Sequence, residues 1–293
     1  MDYKILMQIP LLLVISSCCF VVISAEECPA DRDKDWSYDL NLPNGPLHWG
    51  EKYPNCNGTS QSPINIITRE TVRSGERQRL ELHGYDEPIT NVSIMNTDFT
   101  ILVTPQDGVE RSIKLDGKNY TFQHFHFNWG NKTHEGSEDV INGGRHTMET
   151  RFIHQNEEKY VTVAGFLKES SQINSAIYNI LSQMDSFQYA GQSFEGEIHL
   201  NRSNSHRQGK IYLEDLIDNG CPFYRYEGSL NFPPCDEGIT RLICRRHKGV
   251  RRNQLNGLYR LYSVKEGTPD ADKCHMLNIY RPVQPLNGRK VYK

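Results

Sequence analysis

The chain has no Cys-x-x-Cys pair, which argues against a zinc ribbon. It has no internal repeat and no low-complexity segment, so neither a solenoid nor a biased tract organises it. Neither sign of charge dominates. The 33 Lys and Arg against 36 Asp and Glu leave a formal charge of −3, with no global drive towards nucleic acid. Only one apolar run approaches spanning length, from Ile5 to Ile23, broken by Gln8, Pro10 and Ser16-Ser17.

That run follows Lys4 and ends in the small residues Ser24-Ala25. The pattern is that of a secretory signal peptide over 1–25, leaving a mature domain over 26–293. An uncleaved membrane anchor is the alternative. The polar segment 286–293 carries no lipid-anchor signal. A secreted, extracellular protein without a membrane span is the expectation.

Cysteine usage agrees. Of eight cysteines, Cys18 and Cys19 fall in the signal segment, leaving Cys28, Cys56, Cys221, Cys235, Cys244 and Cys274. An even set in an exported chain implies disulfides, with fifteen possible connectivities. Five Asn-x-Ser/Thr sequons, at Asn57, Asn91, Asn119, Asn131 and Asn201, are candidate glycan sites.

Residues 122–130 alternate with the period of a strand. His124, His126 and Asn128 project to one face, Phe125 and Phe127 to the other. In the run 148–154, Glu149, Arg151 and Ile153 share a face, and a site between the two strands is expected if they are neighbours. Val92 to Thr104 and Ser112 to Leu115 also alternate, and Tyr160 to Leu167 is a short apolar run fit for a buried strand. Ile173, Ile177, Ile180, Leu181 and Met184 follow helical spacing, with Ser170 or Ser171 as cap. A weaker helix is expected over 253–261. Many strands and few helices predict a large sheet with peripheral helices, a mainly β (α+β) fold.

Across 35–290 the residues resemble the α-class carbonic anhydrases. The resemblance rests on Asp35-Trp36-Ser37-Tyr38, Asn44-Gly45-Pro46, Trp49 and Gln61-Ser62-Pro63-Ile64-Asn65-Ile66. It continues through Trp129-Gly130, Glu135-Gly136-Ser137-Glu138, Glu149 and Tyr226-Glu227-Gly228-Ser229-Leu230. Pro233-Pro234-Cys235 and Arg281-Pro282-Val283-Gln284-Pro285-Leu286 complete it. The resemblance implies a mainly antiparallel, twisted central sheet of about ten strands with a conical cleft. It also implies CO₂ hydration by a Zn²⁺-bound hydroxide held by three histidines.

Aligned on Trp129-Gly130, Glu138 and Glu149 without gaps, the family's three ligand positions fall on His126, Asn128 and Arg151. His124 takes the place of a supporting glutamine. The family's threonine that orients the hydroxide aligns with Asn231, its glutamate partner with Glu138, and a tryptophan of the CO₂ wall with Arg241. Phe232 follows Asn231 and narrows the cleft. The proton-shuttle position falls near Asp98. Glu138 and Glu149 are candidates to pair with Arg151 or Arg241. An amide is a weak zinc ligand, and a guanidinium has no lone pair to offer. No bound cofactor is expected, although the family carries Zn²⁺. A slip of two residues would bring His124 and His126 to the first two ligand positions but displace the anchors. A two-histidine Zn²⁺ or Cu²⁺ site is the weaker alternative. His154, on the face opposite Arg151, is expected to be a hydrogen-bonded core histidine.

The resemblance further implies a Cys56–Cys235 disulfide. Cys28, Cys221, Cys244 and Cys274 stay unassigned, with pairing between subunits open. Arg245, Arg246, Lys248, Arg251 and Arg252 form a basic run, expected as a solvated loop or as a patch for a polyanion. The functional expectation is an inactive carbonic anhydrase-like protein that binds a protein, glycan or matrix partner. The alternative is carbonate dehydratase activity at an altered zinc site.

Overall fold

The computed structural model describes residues 28–74, 79–133, 135–157, 159–199, 207 and 209–293. The expected signal segment over 1–25 and the candidate glycan site Asn201 lie outside the described residues. No helix among them is long and apolar enough to cross a membrane.

Ten strands form one sheet. A short parallel pair, β1 (Asn65–Ile66) with β7 (Val140–Ile141), stands apart. The sheet contains β2 (Glu81–His83), β3 (Val92–Asn96), β4 (Ile101–Pro105), β5 (Ser112–Leu115) and β6 (Lys118–Trp129). It continues with β8 (Met148–Gln155), β9 (Tyr160–Ser170), β10 (Ser193–Gly196), β11 (Phe223–Ser229) and β12 (Glu237–Arg251). The order is β10-β3-β4-β6-β8-β9-β12-β11, with β5 pairing β2 and β6. Only β12 with β9 runs parallel. β6 and β8 lie mid-sheet, where both strand faces are covered, and β8 is buried from Met148 to His154.

Three sequence expectations need correction. The alternating run from Val92 is two strands, β3 and β4, because Thr97 N donates to Thr100 O and Asp98 adopts φ +68° in the intervening turn. The first helix expected from the sequence, α2 (Ser175–Leu181), is capped by Asn174 rather than Ser170 or Ser171. The Asn174 side chain accepts from Ile177 N, while Ser170 ends β9 and Ile173 is 53% exposed. Met184 falls in the next 3-10 turn. The later helix, α3 (Arg252–Leu258), starts one residue earlier and ends three earlier than expected. Leu261 is still buried, but as part of the turn beyond it. The remaining short helix, α1 (Trp49–Lys52), precedes the sheet.

The main core lies on one side of the sheet. Phe125, Phe127 and Phe152 are each at most 1% exposed and pack there with Val161 and Val163. A bulge between Phe122 and His124 lets Phe122 share that side despite the odd spacing. All six cysteines described are bonded within the chain, as Cys28–Cys274, Cys56–Cys235 and Cys221–Cys244. None is left for a bridge between subunits. The Cys56–Cys235 bond sits in an aromatic cluster with Trp36 and Trp49, against Phe99 and Phe232.

Candidate functional site

On the face opposite the main core, β6 and β8 form the floor of a cleft of about 730 Å³. Antiparallel pairing sets His126 directly across from Arg151, Asn128 across from Glu149 and His124 across from Ile153. Strand alternation then turns His124, His126, Asn128, Arg151 and Ile153 into the cleft. The segment after β11 adds Leu230, Asn231 and Phe232, and β12 adds Ile239 and Arg241. Gly136 lets the chain pass tightly over the end of β6, where a Cβ would lie 1.8 Å from Gly130 N. That close approach delivers Glu138 and Asp139 beneath the floor.

Arg151 is the hub. It is 3% exposed, and its Nη2 lies 3.3 Å from Glu138 Oε2, 3.2 Å from Asp139 Oδ2, and against Glu149 Oε1. Both glutamates therefore pair with Arg151. Arg241, 1% exposed, takes a different set: its Nη1 donates to Ser229 O at 2.8 Å and Asn231 Oδ1 at 2.7 Å, and its Nη2 reaches Asp139 Oδ2 at 3.4 Å. Asn231 Nδ2 donates to Glu138 Oε2. Tyr226 donates its hydroxyl to Asp139 Oδ1 at 3.0 Å. Asp139 thus joins both arginines, a role the sequence did not signal beyond its place next to Glu138.

Burial raises the Glu149 pKa to about 8, with the neighbouring Asp139 and Glu138 charges adding to it against the pull of Arg151. Burial also raises Glu138. His124 is lowered by burial, and His126 is held well below the usual range by burial, then by Arg151 and His124. Both imidazoles are neutral near pH 7, with ring centroids 6.4 Å apart. Asp98 sits in the turn between the lining residues Thr97 and Phe99, 3.9 Å from Lys34 Nζ, with its pKa raised to about 6 by burial.

A zinc ion does not fit this floor. No group of three or more His, Cys, Asp or Glu among the described residues is arranged to hold a metal. His126 offers one imidazole, and Asn128 commits its amide nitrogen to Ile279 O at 2.8 Å, leaving only a weak carbonyl donor. Arg151 offers no lone pair, and a dication 4 Å from it would meet about 8 kcal/mol of repulsion at an effective dielectric near 20.

Other predicted residues lie elsewhere. His154 faces the core, fully buried, 2.8 Å from the Tyr85 hydroxyl. The basic run is not a loop: Arg245 to Arg251 continue β12, and Arg252 opens α3. Asp218 meets Arg246 and Lys248, Glu169 meets Arg252, Arg251 donates to Ser171 O, and Arg245 lies over Tyr224. Of the sequons, Asn57 and Asn119 are exposed, and Asn91 and Asn131 are half-buried. The aromatic wall of Trp36 and Phe99, stacked with centroids 3.7 Å apart, escaped sequence reasoning because Trp36 belongs to no periodic segment and Phe99 falls in the turn that splits the alternating run from Val92.

Comparison with known proteins agrees with this architecture. The family profile described as "Eukaryotic-type carbonic anhydrase" matches residues 44–293. Carbonic anhydrase 1 of Mus musculus is 30% identical over 262 residues, covering 88% of this chain and 97% of that protein. Carbonic anhydrase 7 of Homo sapiens is 28% identical over 271 residues, covering 87% and 96%. The chain belongs to the eukaryotic-type carbonic anhydrase family.

Proposed function

We propose that this chain is a secreted carbonic anhydrase-like protein that does not hydrate CO₂ and acts by binding an extracellular protein, glycan or matrix partner. The observation that carries this is Arg151, a buried guanidinium held by three carboxylates on the cleft floor. In the ungapped register it occupies the family's third zinc-ligand position, and Asn128 occupies the second. Only His126 keeps an imidazole.

The surroundings support the same reading. A threonine at position 231 would accept a hydrogen bond from a zinc-bound hydroxide. Asn231 instead directs its carbonyl to Arg241 and its amide to Glu138. Arg241 brings a charge into a wall that should receive an apolar gas. The leader over 1–25, the three disulfides and the sequons support secretion. The test is expression of the mature chain from Glu26 with its disulfides, followed by measurement of bound zinc and of CO₂ hydration. Stoichiometric zinc with sulfonamide-sensitive turnover would reject the proposal.

A second reading, carbonate dehydratase at an altered metal site, draws on His124 and His126 lining one cleft. Replacing both should then abolish metal and activity together, and unchanged behaviour would discard it. For the partner, the basic run from Arg245 to Arg252 supports a polyanion. Asp218 and Glu169 are the only acids paired with it among the described residues, against five basic side chains.

A further inference from the structure

The cleft floor holds polar atoms that make no hydrogen bond. Arg151 Nε and Nη1, Arg241 Nε, Asn128 Oδ1 and Thr162 Oγ1 are all buried without a partner, and all four residues line the cleft. Leaving a buried donor unsatisfied costs about 1–3 kcal/mol, and more where the donor is charged. Three of these atoms are guanidinium nitrogens, so the missing partner is an acceptor and preferably an anion. The two guanidiniums are adjacent, because both reach Asp139 Oδ2, at 3.2 Å and 3.4 Å.

The charge count limits that anion. Arg151 and Arg241 stand with Glu138, Asp139 and Glu149 in one buried cluster. The two guanidiniums already face these three acidic side chains. A ligand with more than one negative charge would therefore be buried uncompensated.

The walls limit the rest of the ligand. Above the floor the lining is Trp36, Phe99, Phe232, Leu102 and Ile239, an apolar sleeve open at the mouth. The acids at the mouth are already engaged. Asp236 accepts from Asn55 at 2.7 Å, and Glu237 from Ser60 N at 2.7 Å and Gln61 at 2.9 Å. A volume of about 730 Å³ with a few convergent polar groups at its base suits a small organic ligand.

We propose that the cleft is a binding site for a monocarboxylate with an apolar body. Its carboxylate accepts hydrogen bonds from Arg151 and Arg241, and its hydrocarbon part lies along the Trp36–Phe99–Phe232 wall. The proposal rests on a zinc-free cleft, since a metal would claim the floor.

The test is calorimetric titration of the mature, disulfide-bonded chain at pH 7 with 4-phenylbutanoate and with its neutral isostere 4-phenylbutanamide, with zinc content measured on the same sample. The expected result is saturable 1:1 binding of the carboxylate and an amide at least about tenfold weaker, equivalent to about 1.4 kcal/mol. Arg241→Met should remove most of that preference, and Leu102→Trp should block both ligands by filling the sleeve. Because the ligand pair is compared on the unaltered protein, the test stands even if Arg241→Met fails to fold. Equal affinity for acid and amide, or binding of neither, in zinc-free protein would overturn the carboxylate site and leave the inactive-enzyme reading intact. Stoichiometric zinc would overturn that reading first.

Discussion

On the core side of β6 and β8, Phe125, Phe127 and Phe152 pack edge and face, and the polar His154 meets one hydroxyl, that of Tyr85. On the cleft side, Arg151 lies three residues from His154 on the same strand, equally buried, among Glu138, Asp139 and Glu149. Burial is managed by neutrality on one side and by ion pairing on the other. Burial holds the His154 pKa near 3, so the ring enters the core uncharged. Arg151 cannot shed its proton, because burial of the guanidinium is outweighed by the attraction of Glu149, Asp139 and Glu138, and its pKa rises. A sheet can therefore carry a fixed cation at its centre, provided a carboxylate cage forms beneath it.

The sharpest way to break this comparison is to remove the cation. Arg151→Met should destabilise the protein by about 3–5 kcal/mol, because it strands three buried carboxylates. Adding Glu149→Gln should recover part of that loss, measured by urea unfolding. No recovery would mean that the carboxylates do not depend on Arg151.

His154→Phe should cost less, about 1–3 kcal/mol, through the Tyr85 hydroxyl it leaves unpaired. The same variant separates the faces by pH. His154 has a folded pKa of about 3, below its unfolded value near 6.5. Its contribution is fully present above pH 6.5 and is lost as pH falls towards 3, by about 1.4 kcal/mol per unit. Glu149 acts in the opposite sense. Its folded pKa of about 8 exceeds the unfolded value near 4.5, so its contribution is present below pH 4.5 and lost as pH rises through 8. Unfolding of His154→Phe should show a shallower acid limb, and that of Glu149→Gln a shallower alkaline one. Unchanged limbs would contradict the assignment.

A gain of function probes the cleft side alone. Asn128→His with Arg151→His should acquire zinc, read by elemental analysis, while CO₂ hydration should also need Asn231→Thr and Arg241→Trp. A folded double variant that takes up no zinc would put the register in doubt. The smallest effect is expected at the surface. Neutralising Arg251 and Arg252 should lower the salt at which the protein leaves heparin without changing its stability, and an unchanged elution would remove the polyanion reading.

Much of this contrast is legible before any coordinates. Period-two alternation places His124, His126 and Asn128 together, and the spacing from Arg151 to His154 separates those two side chains across the strand. Asp139 is not legible in that way. Consecutive residues of a strand point to opposite faces, but Glu138 and Asp139 lie in a bend before β7, where both reach Arg151. The basic run is misjudged for a related reason. Its charges resemble a solvated loop, yet Val250 is fully buried and the backbone pairs with β9 through Arg251. The cap of α2 is displaced because Ile173 fits the helical spacing but precedes the helix, where tertiary contacts rather than periodicity decide its exposure. The aromatic wall forms from loop residues at 36, 99 and 232 that only folding brings side by side.

The most direct measurement is the zinc content of the disulfide-bonded chain from Glu26 onward, taken after equilibration with excess Zn²⁺ and desalting, alongside its CO₂ hydration rate. With Arg151 at the centre of the floor, zinc should stay at the level of the blank and the rate at that of buffer. One tightly held zinc per chain with sulfonamide-sensitive turnover would contradict a cleft organised around a guanidinium.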